Sequence, residues 1–146
     1  MRRAFDGLTS TDGVVCTDIE EVQQSTWIRG CVALLGDAAH ALTPNMGQGA
    51  GMAMEDAVVL AEELAIASRG EKPVPAALAS YVARRQRRVE TVVRLSRQVG
   101  EEGQLSGALA CWLRNRRVRR AGRVPARTDA ALERLLAWPP RGEARP

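Results

Sequence analysis

The sequence predicts an α/β fold with one buried strand followed by a helix-rich C-terminal half. Three observations predict it. A continuous apolar run, Cys31-Val32-Ala33-Leu34-Leu35, stops at Gly36-Asp37, as a strand buried on both faces does. Beyond it, apolar residues recur at three- and four-residue spacing, the helical period. Finally, the 146 residues are 45% hydrophobic but only 3% aromatic, so Ala, Val and Leu must build the core, and these suit closely packed helices. The length fits one ordinary domain.

Each element can be justified in order. Val14-Val15-Cys16, between Asp12-Gly13 and the acidic Asp18, Glu20 and Glu21, reads as a short strand in a loop-and-strand region over residues 1–24. Trp27 and Gly30 lead into the buried strand at 31–35, whose ladder edges are expected to lack sheet partners. Residues 38–47, with His40, Pro44 and Asn45, read as a loop. A helix is predicted from about Gln48 to Arg69, its buried stripe being Met54, Ala57, Val58, Ala61, Leu64 and Ala65, with Glu55, Glu62 and Glu63 off it. Ala50, Ala53, Ala57 and Ala61 make a narrow side for close approach to a sheet. Gly70, Pro73 and Pro75 stop it. A second long helix is predicted over 76–99, with Leu78, Val82, Val89, Val92 and Val99 as its seam and Gly100 and Gly103 as its end. A third covers 105–120 with Leu109, Trp112 and Leu113; a short last one starts at Thr128 and ends near Trp138, before a frayed tail.

Several function classes are excluded by composition. No apolar run reaches the roughly 18–20 residues of a membrane span, and Met-Arg-Arg at the start leads to Asp6 and Gly7 rather than to a signal peptide. The expectation is therefore a cytoplasmic chain with no membrane partner. Cys16, Cys31 and Cys111 form no C-x-x-C pair and His40 is the single histidine, too few ligands for a metal site; reduced, mostly buried thiols are expected. Charge divides sharply: residues 1–73 carry five basic and eleven acidic side chains, and residues 74–146 carry sixteen basic and six acidic. The clusters Arg84, Arg85, Arg87, Arg88 and Arg114, Arg116, Arg117, Arg119, Arg120 lack interleaved base-stacking aromatics. They read as solvated helix faces rather than as a nucleic-acid partner's site.

The chemistry concentrates in residues 30–60. Asp37 emerges at the carboxyl end of the predicted strand, where ligands sit in open α/β sheets. A carboxylate there accepts hydrogen bonds from a ligand hydroxyl. Gly47, Gln48, Gly49, Ala50 and Gly51 then open a long helix. Without Cβ atoms the backbone approaches a ligand closely, and the free N–H groups of a helix start favour negative charge. The dinucleotide pattern G-x-G-x-x-G fails at both registers, because Met52 and Met54 hold its third glycine position.

Together, Gly36-Asp37-Ala38-Ala39-His40, Pro44, Gly47-Gln48-Gly49, Asp56-Ala57 and Leu60 resemble the second flavin-binding motif of the single-component FAD-dependent aromatic hydroxylases, the flavoprotein monooxygenases that include p-hydroxybenzoate and salicylate hydroxylases. Trp27 and Gly30 match the lead-in, Tyr81, Arg84, Arg85 and Arg88 match the family's long arginine-spaced helix, and Leu135, Trp138, Pro139 and Pro140 resemble its close. The resemblance implies a C-terminal fragment of a glutathione reductase-like FAD-binding domain: residues 1–26 a remnant of the substrate-domain sheet, 27–70 the second FAD-binding motif, and 71–146 a helical region.

It implies FAD as cofactor, NAD(P)H as reductant and a small aromatic substrate hydroxylated with O₂. Gly36 and Asp37 would meet the ribityl chain, Pro44 the ring's flank, and Gly47, Gln48, Gly49, Ala50 and Gly51 the pyrimidine edge. His40 is expected to bond loop backbone, and Asp56 to be a surface or capping charge. Two positions depart from the family: Gly51 where Asn is usual, and Cys31 where Arg is frequent. No N-terminal glycine fingerprint for the ADP half is present. A chain inactive alone is therefore expected, as a non-catalytic remnant or as the complement of a separately encoded N-terminal half.

Overall fold

The computed structural model describes Ser10, Val15, residues 17–122 and Ala137. The strand expected at 14–16, the helix expected from Thr128 and the tail fall wholly or mostly outside these residues. Strands β1 (Ile28–Arg29) and β2 (Val32–Ala33) come first, then the single turn α1 (Asp37–His40) and a 3₁₀ turn at Pro44–Met46. The helices α2 (Gly49–Ser68), α3 (Val74–Gly103) and α4 (Ala108–Ala121) follow. The α/β class with a helical bulk stands.

The strand itself differs from the expectation. Gly30 takes φ +61° and reverses the chain, so the apolar run splits. Cys31 sits exposed in the turn, and β2 pairs antiparallel with β1 in the register Ile28↔Ala33, Arg29↔Val32. Val32 is 64% exposed, while Ala33 and Leu34 turn half-buried towards the core. The run is therefore one arm of a hairpin rather than a strand buried on both faces, and one ladder edge has a partner.

The helices lie close to their predicted spans. Pro75 occupies the first turn of α3, where its missing N–H has no acceptor to lose. Gly70, at φ +77°, makes the bend between α2 and α3. Gly100 does not stop α3, which runs on to Gly103. The expected seam of α3 is largely correct: Leu78, Val89 and Val92 are buried and Val82 half-buried, although Val99 is exposed.

The stripe expected on α2 faces the wrong way. Met54 is 65% exposed, Val58 46% and Leu64 38%. The buried residues are Met52, Glu55, Asp56, Val59 and Glu63. Periodicity marks an apolar face, but α3 docks on the opposite one, because its arginines pair with the carboxylates there. Arg84 reaches Glu62 (2.8 Å) and Glu63 (3.1 Å), and Arg88 reaches Glu55 (2.6 Å). Lys72, in the α2–α3 bend, also pairs with Glu63. The α2 carboxylates and the α3 arginines thus meet across one helix–helix contact, and of the first arginine cluster only Arg87 is left exposed. The core of Trp27, Ala39, Met52, Val59, Tyr81, Val89, Val92 and Val93 lies beside it. No described helix is long and apolar enough to cross a membrane.

Candidate functional site

Gly36 sets the site's geometry. It holds φ +56°, a region that non-glycine residues enter at a cost. A Cβ there would stand 3.1 Å from Ala53 Cβ, so the end of the hairpin lies directly against the second turn of α2. The Gly36 N–H donates to Asp56 Oδ2 (2.9 Å), and its carbonyl accepts from the N–H groups of Ala39 and His40 (both 2.9 Å), closing α1. Asp37, the first residue of α1, is left exposed.

Asp56 gathers the surrounding elements. Its side chain is fully buried, not a surface charge. Oδ2 also accepts from His40 Nε2 (2.5 Å), and Oδ1 accepts from Arg85 Nε (2.7 Å). Arg85, itself fully buried, donates further to Glu55 (2.6 Å) and to the Met52 carbonyl (3.3 Å). Burial alone would push the Asp56 carboxyl up, but the hydrogen bonds from His40, Arg85 and Gly36 outweigh it and hold the group below its ordinary value. His40 therefore bonds a carboxylate rather than loop backbone. Its ring packs on Trp27 at 5.1 Å, and its Nδ1 meets no partner among the described residues. A cavity of about 50 Å³ opens there, lined by Trp27, Ala39, His40, Gln86, Val89 and Val93 among others. Tyr81 completes the cluster by donating to the Leu34 carbonyl (3.0 Å). Burial, and then the charge of Asp56, raise its phenol well above the ordinary value.

These shifts predict how stability varies with pH. Asp56 titrates lower in the fold, so its contribution is complete above the ordinary carboxyl value of 3.8 and is lost as pH falls through the depressed one. Tyr81 titrates higher, so its contribution is complete below the ordinary phenol value of 10.0 and is lost as pH rises above it. Trp27 fluorescence followed from acid to alkali should report both losses. Tyr81→Phe should remove the alkaline dependence and keep the acid one.

The other sequence-predicted site residues run from the 3₁₀ turn into the start of α2. Pro44 and Gly47 are exposed, and Gly47 takes φ +64° with its N–H on the Pro44 carbonyl (3.0 Å). Gln48 is the N-cap of α2 and makes no side-chain cap. The first intrahelical bond runs from Met52 N–H to the Gln48 carbonyl (2.9 Å), so the N–H groups of Gly49, Ala50 and Gly51 have no acceptor within the helix. A Cβ on Gly47 or Gly49 would meet nothing within 4 Å, and one on Gly51 would make only ordinary contact with Gln48, at 3.6 Å. A flat ligand can therefore approach this backbone. Sequence reasoning missed the buried support beneath it. Asp56 and Arg85 were each visible, but only their 29-residue separation across a helix pair shows the bond.

These elements match a known family over residues 6–96, and the chain belongs to it: the FAD binding domain family. Similar proteins include named monooxygenases. The chain is 44% identical to the aurachin C monooxygenase/isomerase of Stigmatella aurantiaca, over 86% of this chain and 32% of that protein. It is 43% identical to the 2-heptyl-3-hydroxy-4(1H)-quinolone synthase of Pseudomonas aeruginosa, over 79% of this chain and 31% of that one. It thus spans about a third of the length of these curated relatives. Klebsiella pneumoniae HpxO, solved with FAD and uric acid, superposes with a TM-score of 0.58 at 37% identity, over 67% of this chain and 24% of that one. FAD is the cofactor of the family, and the open glycine backbone at the uncapped start of α2 is compatible with its flavin end.

Proposed function

We propose that this chain forms the flavin-facing part of an NAD(P)H-dependent monooxygenase that hydroxylates a small aromatic or similarly electron-rich molecule in the cytoplasm. The observations that carry this reading are the uncapped glycine start of α2, whose first N–H groups have no acceptor within the helix, and the exposed Asp37 that follows the Gly36–Asp56 bond. Asp37 would accept a hydrogen bond from a ribityl hydroxyl. The N–H groups of Gly49, Ala50 and Gly51 would face the pyrimidine edge, where the positive end of the helix favours developing negative charge. Gln48 would flank the ring, and Pro44 would form part of the substrate-side wall. FAD, when bound, supplies the redox chemistry that the chain's own side chains lack. Residues 27–70 then act as the second FAD-binding segment, 71–146 as its helical support, and 1–26 as part of the substrate-side sheet. The quinolone in the name of the Pseudomonas protein and the uric acid held by HpxO favour a ring substrate.

A second reading has its own support. Met54, Val58 and Leu64 give α2 an exposed apolar face, as expected where the remainder of a flavin domain, separately encoded, packs on this chain. In that case the chain is the complementing half of an enzyme and is inactive alone.

Both readings place Asp37 against the flavin, and one substitution tests that. Asp37 is exposed, so Asp37→Ala should leave the melting temperature unchanged. It should weaken FAD binding about 10–100-fold, the worth of a hydrogen bond to a charged acceptor. Flavin-fluorescence titration measures this, and equal affinity in wild type and variant would overturn the assignment.

A further inference from the structure

The loop that carries Pro44 is fastened to α3 well beyond the ion pairs that α3 makes with α2. Ser96 of α3 is buried and donates its one hydroxyl proton to the Thr43 carbonyl (2.8 Å). Its oxygen is then the acceptor for the Thr43 hydroxyl (3.0 Å), because a serine has a single proton to give. Asn45 Nδ2 donates to Thr43 Oγ1 (2.9 Å) and to the Ser96 carbonyl (3.0 Å). Every donor in this ring has an acceptor. One turn further along α3, Gly100 leaves the room that the Asn45 amide fills, and a Cβ there would overlap Asn45 Nδ2 and come within 3.1 Å of its Cγ. Glycine is unfavourable inside a helix, yet α3 passes through Gly100 without ending. Close approach of the loop gives that glycine a role.

We propose that Ser96 and Gly100 are positioning residues for the flavin: a notch on α3 that seats Asn45 and so fixes Pro44, Gly47 and the open start of α2. The inference rests on the flavin-facing reading of that loop and extends it to residues of α3. The left-handed Gly47 and the free N–H groups of Gly49, Ala50 and Gly51 follow the anchored residues directly in sequence. A displaced Asn45 would therefore move the backbone that the ring approaches.

Helix propensity and the notch predict opposite results for Gly100→Ala. By propensity alone the variant melts higher and the loop is untouched. By the notch, Asn45 is expelled and loses its bonds to Thr43 and Ser96. The full chain, labelled with ¹⁵N, should then show amide exchange at Gly47 about tenfold faster or more. FAD-induced shifts at Gly49, Ala50 and Gly51 should fall in the same variant. Asn45→Ala should reproduce both effects, and adding Gly100→Ala to it should change neither further while raising the melting temperature. That reversal separates loop seating from general damage to the fold. Wild-type exchange at Gly47 in Gly100→Ala, or effects that simply add in the double variant, would overturn the notch. Absence of FAD-induced shifts in the wild-type chain, with the exchange result intact, would instead overturn the flavin reading and with it the functional part of the inference.

Discussion

Asp56→Ala is expected to destabilise the fold by about 3–5 kcal/mol, the range for removing one partner of a buried ion pair. The carboxylate binds three donors at once: Gly36 N–H, His40 Nε2 and Arg85 Nε. Its loss takes one acceptor from a fully buried guanidinium and leaves a buried imidazole with neither nitrogen paired among the described residues. Arg85 is fully buried, so its desolvation cost remains. Urea unfolding followed by Trp27 fluorescence would measure the loss. Asp56→Asn, which keeps the volume and one acceptor oxygen, should lose less. An Asp56→Ala chain as stable as wild type would show that the three-way bond is not what joins the hairpin to the helix pair.

Gly36→Val should cost roughly 2–5 kcal/mol through two separate mechanisms. A β-branched residue at φ +56° is strained by its own backbone. Its Cβ would also lie 3.1 Å from Ala53 Cβ, already tight before the two methyls are added. Gly36→Ala should show the same strain with a milder contact, so the two variants should order themselves by size. Asp37 begins the turn that Gly36 caps, so flavin affinity should fall in the same order as stability. Thermal melts and flavin titrations on the same two proteins would reveal that order, and equal melts for alanine and valine would remove the contact with Ala53 from the account.

The parts of this fold that were legible in the sequence are those fixed by local chemistry. Gly70, Pro73 and Pro75 marked the α2–α3 break because each acts on its own backbone. Gly36 and Gly47 marked turns of positive φ for the same reason. What was not legible depended on which partner an element meets. Gly30 broke a run that reads as one strand, since the pattern carries no term for a reversal made by a single positive φ. The stripe of Met54, Val58 and Leu64 was a real apolar face, yet the buried one holds Glu55, Asp56 and Glu63. A buried carboxylate looks like a surface residue until its arginine is found, and here that arginine lies in the next helix.

The ion pairs have one more consequence. Arg84, Arg85 and Arg88 meet carboxylates of α2 in descending sequence order, so the two helices lock antiparallel in one alignment. Sliding α3 by a single turn, about 5.4 Å, would pull Arg85 off Asp56 and strand a buried cation. Ser96 lies eleven residues beyond Arg85, roughly 16 Å along the same rigid helix. The alignment chosen by charge at one end therefore decides where the hydroxyl that grips Thr43 arrives at the other. The helix works as a caliper: its jaw at Asp56 sets the gap at which the loop is held.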